Sequence, residues 1–140
     1  MNRIDTIDPN FSLQFKSATL SNQQRAVSFA VKNAIEKSDL TDSIFFEALK
    51  QFKNRQTLVN VDYLRIEKLG NEFDEEYFKL QEECNEKYIE YFNKARAAFA
   101  LVYALKAKTD DDYLESIYES LIVFNDQMEL LENLKSILKK

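Results

Sequence analysis

The sequence predicts an all-α fold, an antiparallel four-helix bundle with one short helix, three long helices and an irregular N-terminal arm. Three long stretches of the chain repeat apolar residues at alternating steps of three and four, which places them along one side of a helix. The 140 residues include a single glycine and a single proline. An all-β fold needs many more turn residues than that. Helices packed lengthwise therefore explain the pattern.

The apolar rows define the inward faces of the three long helices. The first row is Phe45, Leu49, Phe52, Val59, Tyr63 and Ile66, with polar Gln56 among them. The second row is Phe73, Tyr77, Leu80, Cys84, Tyr88, Tyr91, Ala95, Ala98, Val102 and Leu105. The third row is Leu114, Ile117, Leu121, Phe124, Met128, Leu131, Leu134 and Leu138. Each row indicates a helix that buries one continuous seam.

Residues 1–20 are expected to form the irregular arm, and residues 21–140 a single helical-bundle domain. Pro9 lies between Asp8 and Asn10, a combination typical of a turn. Three apolar residues then alternate as in a short extended segment: Phe11, Leu13 and Phe15.

The first two helices are predicted from their caps. Ser21 is a plausible N-cap for a short helix over 22–37, which the Ser-Asp-Leu-Thr sequence at 38–41 ends. Thr41 could cap a second helix over 42–69. Residues 57–66 are rich in β-branched side chains, so a kink or a short strand is an alternative there.

The third helix is predicted to follow a break at Gly70. Glycine suits the left-handed residue that ends a helix, and Asn71 suits the N-cap of the next one. Acidic residues crowd the first turns after Asn71, where the helix dipole favours them. This helix should run to Ala107.

The fourth helix is predicted over 111–138. Thr109 and Asp112 resemble a capping box, with aspartate in the usual glutamate position. Lysines end this helix, as its dipole favours.

The unequal lengths predict an apolar groove at one end of the bundle. The first helix covers only half of its neighbours, so the other end would contain three helices. The residues expected to line that groove are Tyr63, Ile66, Tyr77, Leu80, Leu131 and Leu134. A groove of this size needs a cover. The candidates are the N-terminal arm, a second copy of the chain, or a foreign helix.

Charge is concentrated in the third predicted helix. The chain carries a net charge of −5, and the segment from Glu72 to Glu90 holds eight acidic residues against two lysines. Acidic charge repels phosphate backbones, so direct nucleic-acid binding is disfavoured. The charge suits a basic protein partner, or it simply keeps the chain soluble.

The chain contains no histidine and one cysteine. Histidine-ligated zinc, Glu-x-x-His di-iron sites and Ser-His or Cys-His catalysis are therefore excluded. Cys84 falls on the second apolar row, so we expect it to be a small buried hydrophobe. No catalytic residue, cofactor or metal site is predicted.

Two alternatives remain open. Glu82, Glu86 and Glu90 line one stripe of a helix, and such a row could hold Mg²⁺ or Mn²⁺ in a carboxylate hydrolase that acts on nucleotides. A solvated helix face explains these acids more simply. The second alternative is a small helical subunit of a nucleoprotein complex. Its basis is the cluster of basic residues at Lys50, Lys53 and Arg55, with the aromatic residues Phe46 and Phe52 nearby.

The function we expect is protein–protein contact without catalysis, as an adaptor, a chaperone-like protein or an inhibitor of the immunity type. The partner would be another protein or a second copy in a homodimer. No membrane is involved, and nucleic acid is a disfavoured partner. The N-terminus has no apolar signal-peptide core, so a cytoplasmic location is expected. The contact residues expected are Tyr63, Tyr77, Leu80, Glu82, Glu83, Glu86 and Leu134.

Overall fold

A computed structural model describes residues 2–54 and 63–140 of the chain. Its elements are a 3₁₀ helix at Arg3–Thr6 and the α-helices α1 (Phe11–Ser17), α2 (Leu20–Lys37), α3 (Ser43–Lys53), α4 (Tyr63–Glu82), α5 (Tyr88–Lys106), α6 (Asp110–Ile122) and α7 (Met128–Leu138). Within the two described ranges there is no strand. The all-α prediction is confirmed.

The core is built around α2, which packs against α3, α5, α6 and α7. One side of α2 is fully buried and consists mostly of small aliphatic side chains: Ala26, Val27, Ala30, Val31, Ala34 and Ile35. Small side chains let several helices approach α2 closely. The buried apolar residues form one contiguous core.

The irregular arm is a wrong prediction, because residues 3–6 and 11–17 are helical. Phe11 and Phe15 are both fully buried, whereas Leu13 is 67% exposed. The two phenylalanines are four residues apart and share one face of α1, a helical spacing that looks like alternation when Leu13 is counted with them. The 3₁₀ helix packs on α6, and α1 packs on α6 and α7.

The first predicted helix is correct at its end and nearly so at its start. Thr19, rather than Ser21, is the N-cap, and its hydroxyl accepts a hydrogen bond from Asn22 N at 3.1 Å. Asp39 adopts a left-handed conformation with φ 56°, and Leu40 N donates to Ile35 O. This Schellman arrangement ends α2.

The second predicted helix is shorter than expected. Asp42, rather than Thr41, caps it by accepting from Ile44 N, and α3 ends at Lys53. Of the segment 57–66, whose conformation the sequence left open, residues 57–62 lie outside the described residues and residues 63–66 are helical.

Gly70 does not end a helix. It lies inside α4, and a Cβ atom placed on it would be 3.1 Å from the ring of Phe99 on α5. The predicted break at Gly70 and cap at Asn71 are wrong because this glycine serves close packing between helices instead of a turn.

The chain reverses instead at Cys84. Cys84 has φ 56°, and Asn85 N donates to Leu80 O at 2.9 Å, which ends α4 in a second Schellman arrangement. The continuous helix predicted from Asn71 to Ala107 is therefore wrong. Cys84 is exposed, so its predicted burial is also wrong.

The last predicted helix is two helices. The capping box of Thr109 and Asp112 is present as predicted, but α6 ends at Ile122 and α7 begins at Met128. With breaks at 83–87 and 123–127, two of the three long helices are divided. The antiparallel four-helix bundle is not confirmed.

Candidate functional site

The helices α4 and α5 form an antiparallel hairpin, and its outer part is poorly covered by the rest of the protein. We call residues 71–94 the hairpin tip. Leu80 is the one buried residue in this range, whereas most of α5 from Ala95 to Leu105 is buried. The base of the hairpin therefore belongs to the core, and the tip is held chiefly by contacts between its own two helices.

Aromatic side chains fill the space between the two helices of the tip. The ring of Tyr77 lies 4.8 Å from that of Phe78, 5.2 Å from that of Phe92 and 6.0 Å from that of Tyr88, centroid to centroid. Phe78 is 57% exposed and Ile89 is 53% exposed. The tip thus presents large apolar side chains to solvent beside a supporting aromatic cluster.

Acidic residues surround these apolar side chains. Glu82, Glu83 and Glu86 are all exposed, at the end of α4 and in the turn that follows it. Because the turn at Cys84 reverses the chain, acids that would have been spread along one long helix are gathered at the tip. Exposed carboxylates near apolar side chains resemble the rim and centre of a protein-binding surface.

A buried carboxylate fixes the base of the hairpin to the body. Glu119 on α6 is 3% exposed and accepts from Arg96 Nη1 at 3.2 Å and from Arg3 Nη2 at 3.0 Å. Arg96 also donates from Nη2 to both carboxylate oxygens of Asp74, each at 2.9 Å. Arg3 additionally pairs with Glu115, and this contact raises the pKa of the Arg3 guanidinium.

Aromatic rings hold the two arginines of this network in place. The guanidinium of Arg96 lies 5.3 Å from the ring centroids of both Phe92 and Phe99, and that of Arg3 lies 4.4 Å from the ring of Tyr118. Stacked, paired guanidinium groups have few alternative positions. The network joins the 3₁₀ helix, α4, α5 and α6, so the direction in which the tip projects is defined.

The residues predicted to make contact divide into two groups. Tyr77, Leu80, Glu82, Glu83 and Glu86 all lie in the tip. Tyr63 lies at the other end of α4, with Lys106 Nζ 5.6 Å from its ring centroid.

Leu134 belongs to the second group, because it is fully buried on α7, which packs against α2 and α1. The predicted groove is not open, since Ile66, Leu131 and Leu134 all lie within the core.

No metal site is found in the part of the chain that the structure describes: no three acidic or cysteine side chains there come together as a metal would require. Glu82, Glu86 and Glu90 do not form one stripe, because the turn at 83–87 separates them. The row of carboxylates proposed for a hydrolase is therefore divided among α4, a turn and α5.

The basic cluster is larger than the sequence suggested. Lys53 on α3 lines one cavity together with Arg25 and Lys32 of α2, while Arg55 lies outside the described residues. Sequence reasoning missed the α2 cations, although their spacing of seven residues places them on the same side of a helix. Only the packing of α2 against α3 places these cations beside Lys53, and the sequence alone did not show that packing.

Comparison of the chain with known protein families, curated proteins and solved structures found no match. No residue role is therefore transferred from another protein. Among the described residues, no helix combines the length and apolar character needed to cross a bilayer.

Proposed function

We propose that this protein acts by protein–protein contact through the hairpin tip, as an adaptor, chaperone-like or inhibitor-type protein of the cytoplasm, and that it is not an enzyme. The observation that supports this most is the combination of Phe78 and Ile89, exposed by 57% and 53%, with an aromatic cluster behind them and acids around them. Large exposed side chains on a supported surface are typical binding anchors.

The charge of the tip favours a basic partner. From Glu72 to Glu90 the sequence holds eight acids and two lysines, and Asp74 is the acid paired with Arg96. The remaining seven acids would attract a cationic surface and speed its association. A second copy of the chain would instead bring two acidic tips together, which like-charge repulsion disfavours.

The partner we propose is therefore a basic protein that presents an apolar pocket or groove to the tip. Its pocket would receive Phe78 and Ile89, and its cations would lie near Glu82, Glu83 and Glu86. Apolar burial would supply most of the affinity, while the charges would supply the association rate and its dependence on salt.

Paired capture from the native cell tests this proposal. The bait variants are Phe78→Ser with Ile89→Ser at the tip, and Leu13→Ser with Leu20→Ser as the control, since Leu13 and Leu20 are 67% and 60% exposed elsewhere. We expect a basic protein to be retained by the wild type and the control and lost by the tip variant. Binding of the purified partner should then weaken at least about tenfold for the tip variant and also weaken as salt rises.

Two results would contradict the proposal. One is a partner that the tip variant retains as well as the control does. The other is a stable homodimer in sedimentation that Phe78→Ser dissociates, which would assign the tip to self-association.

A further inference from the structure

A cavity of about 250 Å³ lies between α2, α3 and α7, away from the hairpin tip. Its lining residues are Gln24, Arg25, Ser28, Phe29, Lys32, Phe52, Lys53 and Ile137. A second cavity of about 370 Å³ shares Lys32 and Lys53 with the first and continues past Lys50. Together they form a concave region of the size that small ligands occupy.

The rim of this cavity is cationic. Arg25, Lys32 and Lys53 are exposed, and none of them forms an ion pair with another residue in the ranges 2–54 and 63–140. Glu36 is the acid that lines the second cavity. Three cations around one opening, in a chain of net charge −5, concentrate positive potential where a phosphate would be held.

The floor of the cavity is apolar and aromatic. Phe52 is 9% exposed, and Phe29 and Ile137 are partly buried against the core. Aromatic side chains beside cations are the combination on which nucleobases stack while their phosphates are neutralised. An inorganic anion would use only the rim.

One buried polar atom at the cavity has no partner. Gln24 donates from Nε2 to the hydroxyl of Tyr113 at 3.4 Å, while its Oε1 is buried and accepts no hydrogen bond within the described part of the chain. An unpaired buried acceptor is costly. A rotation of the Gln24 side chain toward the cavity would bring Oε1 to a ligand with an N–H donor, such as the exocyclic amine of adenine.

We infer that this cavity binds a nucleotide. The phosphate lies among Arg25, Lys32 and Lys53, and the base packs on Phe29 and Phe52. The amine of the base donates to Gln24 Oε1 once that side chain has rotated into the cavity. The nucleotide could be a free molecule or a unit of a single strand, because both carry the same phosphate and base.

Calorimetric titration of the full chain with AMP, adenosine, inorganic phosphate and a short adenine oligonucleotide tests the inference. We expect AMP to bind at least about tenfold tighter than phosphate or adenosine alone, because only AMP uses rim and floor together. A competition titration would compare the affinities of AMP and the oligonucleotide for the same cavity. Tighter binding of AMP would indicate a free nucleotide, and tighter binding of the oligonucleotide would indicate a single strand.

Variants make the test specific to the cavity. Arg25→Glu and Lys53→Glu should each weaken AMP binding about tenfold or more, since each replaces attraction by repulsion. Lys79→Glu, the same charge change at the hairpin tip, should leave AMP binding within about twofold, because Lys79 does not line the cavity and salt screens charges outside it. Gln24→Leu should reduce the preference for AMP over phosphate, with circular dichroism as the check on folding.

Several results would overturn the inference. They are no binding of AMP or of the oligonucleotide, binding of phosphate as tight as that of AMP, and equal weakening by Lys79→Glu and Lys53→Glu. The tip variant Phe78→Ser should bind AMP like the wild type.

Discussion

At the scale of single residues, backbone conformation decides where the helices end. Asp39 and Cys84 both adopt φ 56°, and each is followed by a residue whose N–H returns to a carbonyl in the last turn of the preceding helix. Glycine usually occupies this position because it has no Cβ to clash. The chain's only glycine is used elsewhere, against Phe99. The rule that glycine marks the end of a helix therefore fails twice. Gly70 lies inside a helix, and the two helix ends are formed by Asp39 and Cys84.

Replacing Cys84 by glycine should stabilise the protein by about 1 kcal/mol, because the left-handed conformation costs a side-chain-bearing residue about that much. Urea unfolding measured under reducing conditions would give the difference. Cys84→Ala is the matched control, since it removes the thiol and keeps the Cβ, and it should leave the free energy of unfolding within about 0.5 kcal/mol. Equal effects of the two substitutions would show that backbone strain is not the cause.

At the scale of elements, apolar periodicity located the helices better than it located their ends. The rows that begin at Phe73 and at Leu114 run through both interruptions, at 83–87 and at 123–127, without a change in spacing. The periodicity therefore indicated most of the helical residues on both sides of each interruption but could not show that the chain leaves the helix there. Caps were more informative where a side chain bonds locally, as the Thr109–Asp112 box demonstrates.

The attachment of the hairpin to the body depends on Glu119, and no local pattern in the sequence indicates it. Glu119 joins α6 to Arg3 and Arg96, which are 116 and 23 residues away in the chain. Such a contact requires the tertiary fold to be known.

Glu119→Ala should destabilise the protein by about 2–4 kcal/mol, because it leaves two guanidinium groups beside a buried site without their shared carboxylate. Thermal or urea unfolding would measure the loss. Glu132→Ala, at an exposed residue of α7, is the control and should cost less than about 0.5 kcal/mol. A loss for Glu119→Ala no larger than that of the control would rule out the anchoring role.

At the scale of the whole molecule, the sequence predicted the all-α class correctly, whereas the contact surface stays a prediction whose residues are brought together differently from what the bundle implied. Five of the seven residues expected to make contact lie in the hairpin tip. The turn at Cys84, and not the open end of a bundle, brings these five residues together. The cationic cavity could be seen only in part, because Arg25 and Lys53 meet through the packing of α2 against α3.

Acid should destabilise the whole molecule through two aspartates. Lys135 and the N–H of Asn10 lower the pKa of Asp8, and the N–H groups of Lys108 and Thr109 lower the pKa of Asp112. A carboxylate whose pKa is lower in the folded state stabilises the fold above its unfolded pKa, and that stabilisation is lost as the pH falls through the folded value.

We therefore expect the free energy of unfolding to fall below about pH 4, near the ordinary pKa of aspartate. Asp112→Asn should be less stable than the wild type near neutral pH. The difference between their free energies of unfolding should narrow as the pH is lowered through that range. Urea unfolding at a series of pH values would measure it. A difference in the free energy of unfolding that stays constant with pH would show that the charge of Asp112 does not contribute to stability.

The position of the single cysteine offers an experimental advantage. Cys84 is exposed at the apex of the α4–α5 hairpin, and the chain has no other thiol. A maleimide fluorophore or a nitroxide would thus label the native sequence at one known place, at the end of the protein where a partner is expected to dock. Quenching or immobilisation of that label would report docking directly, with no engineered residue and no background signal from elsewhere in the protein.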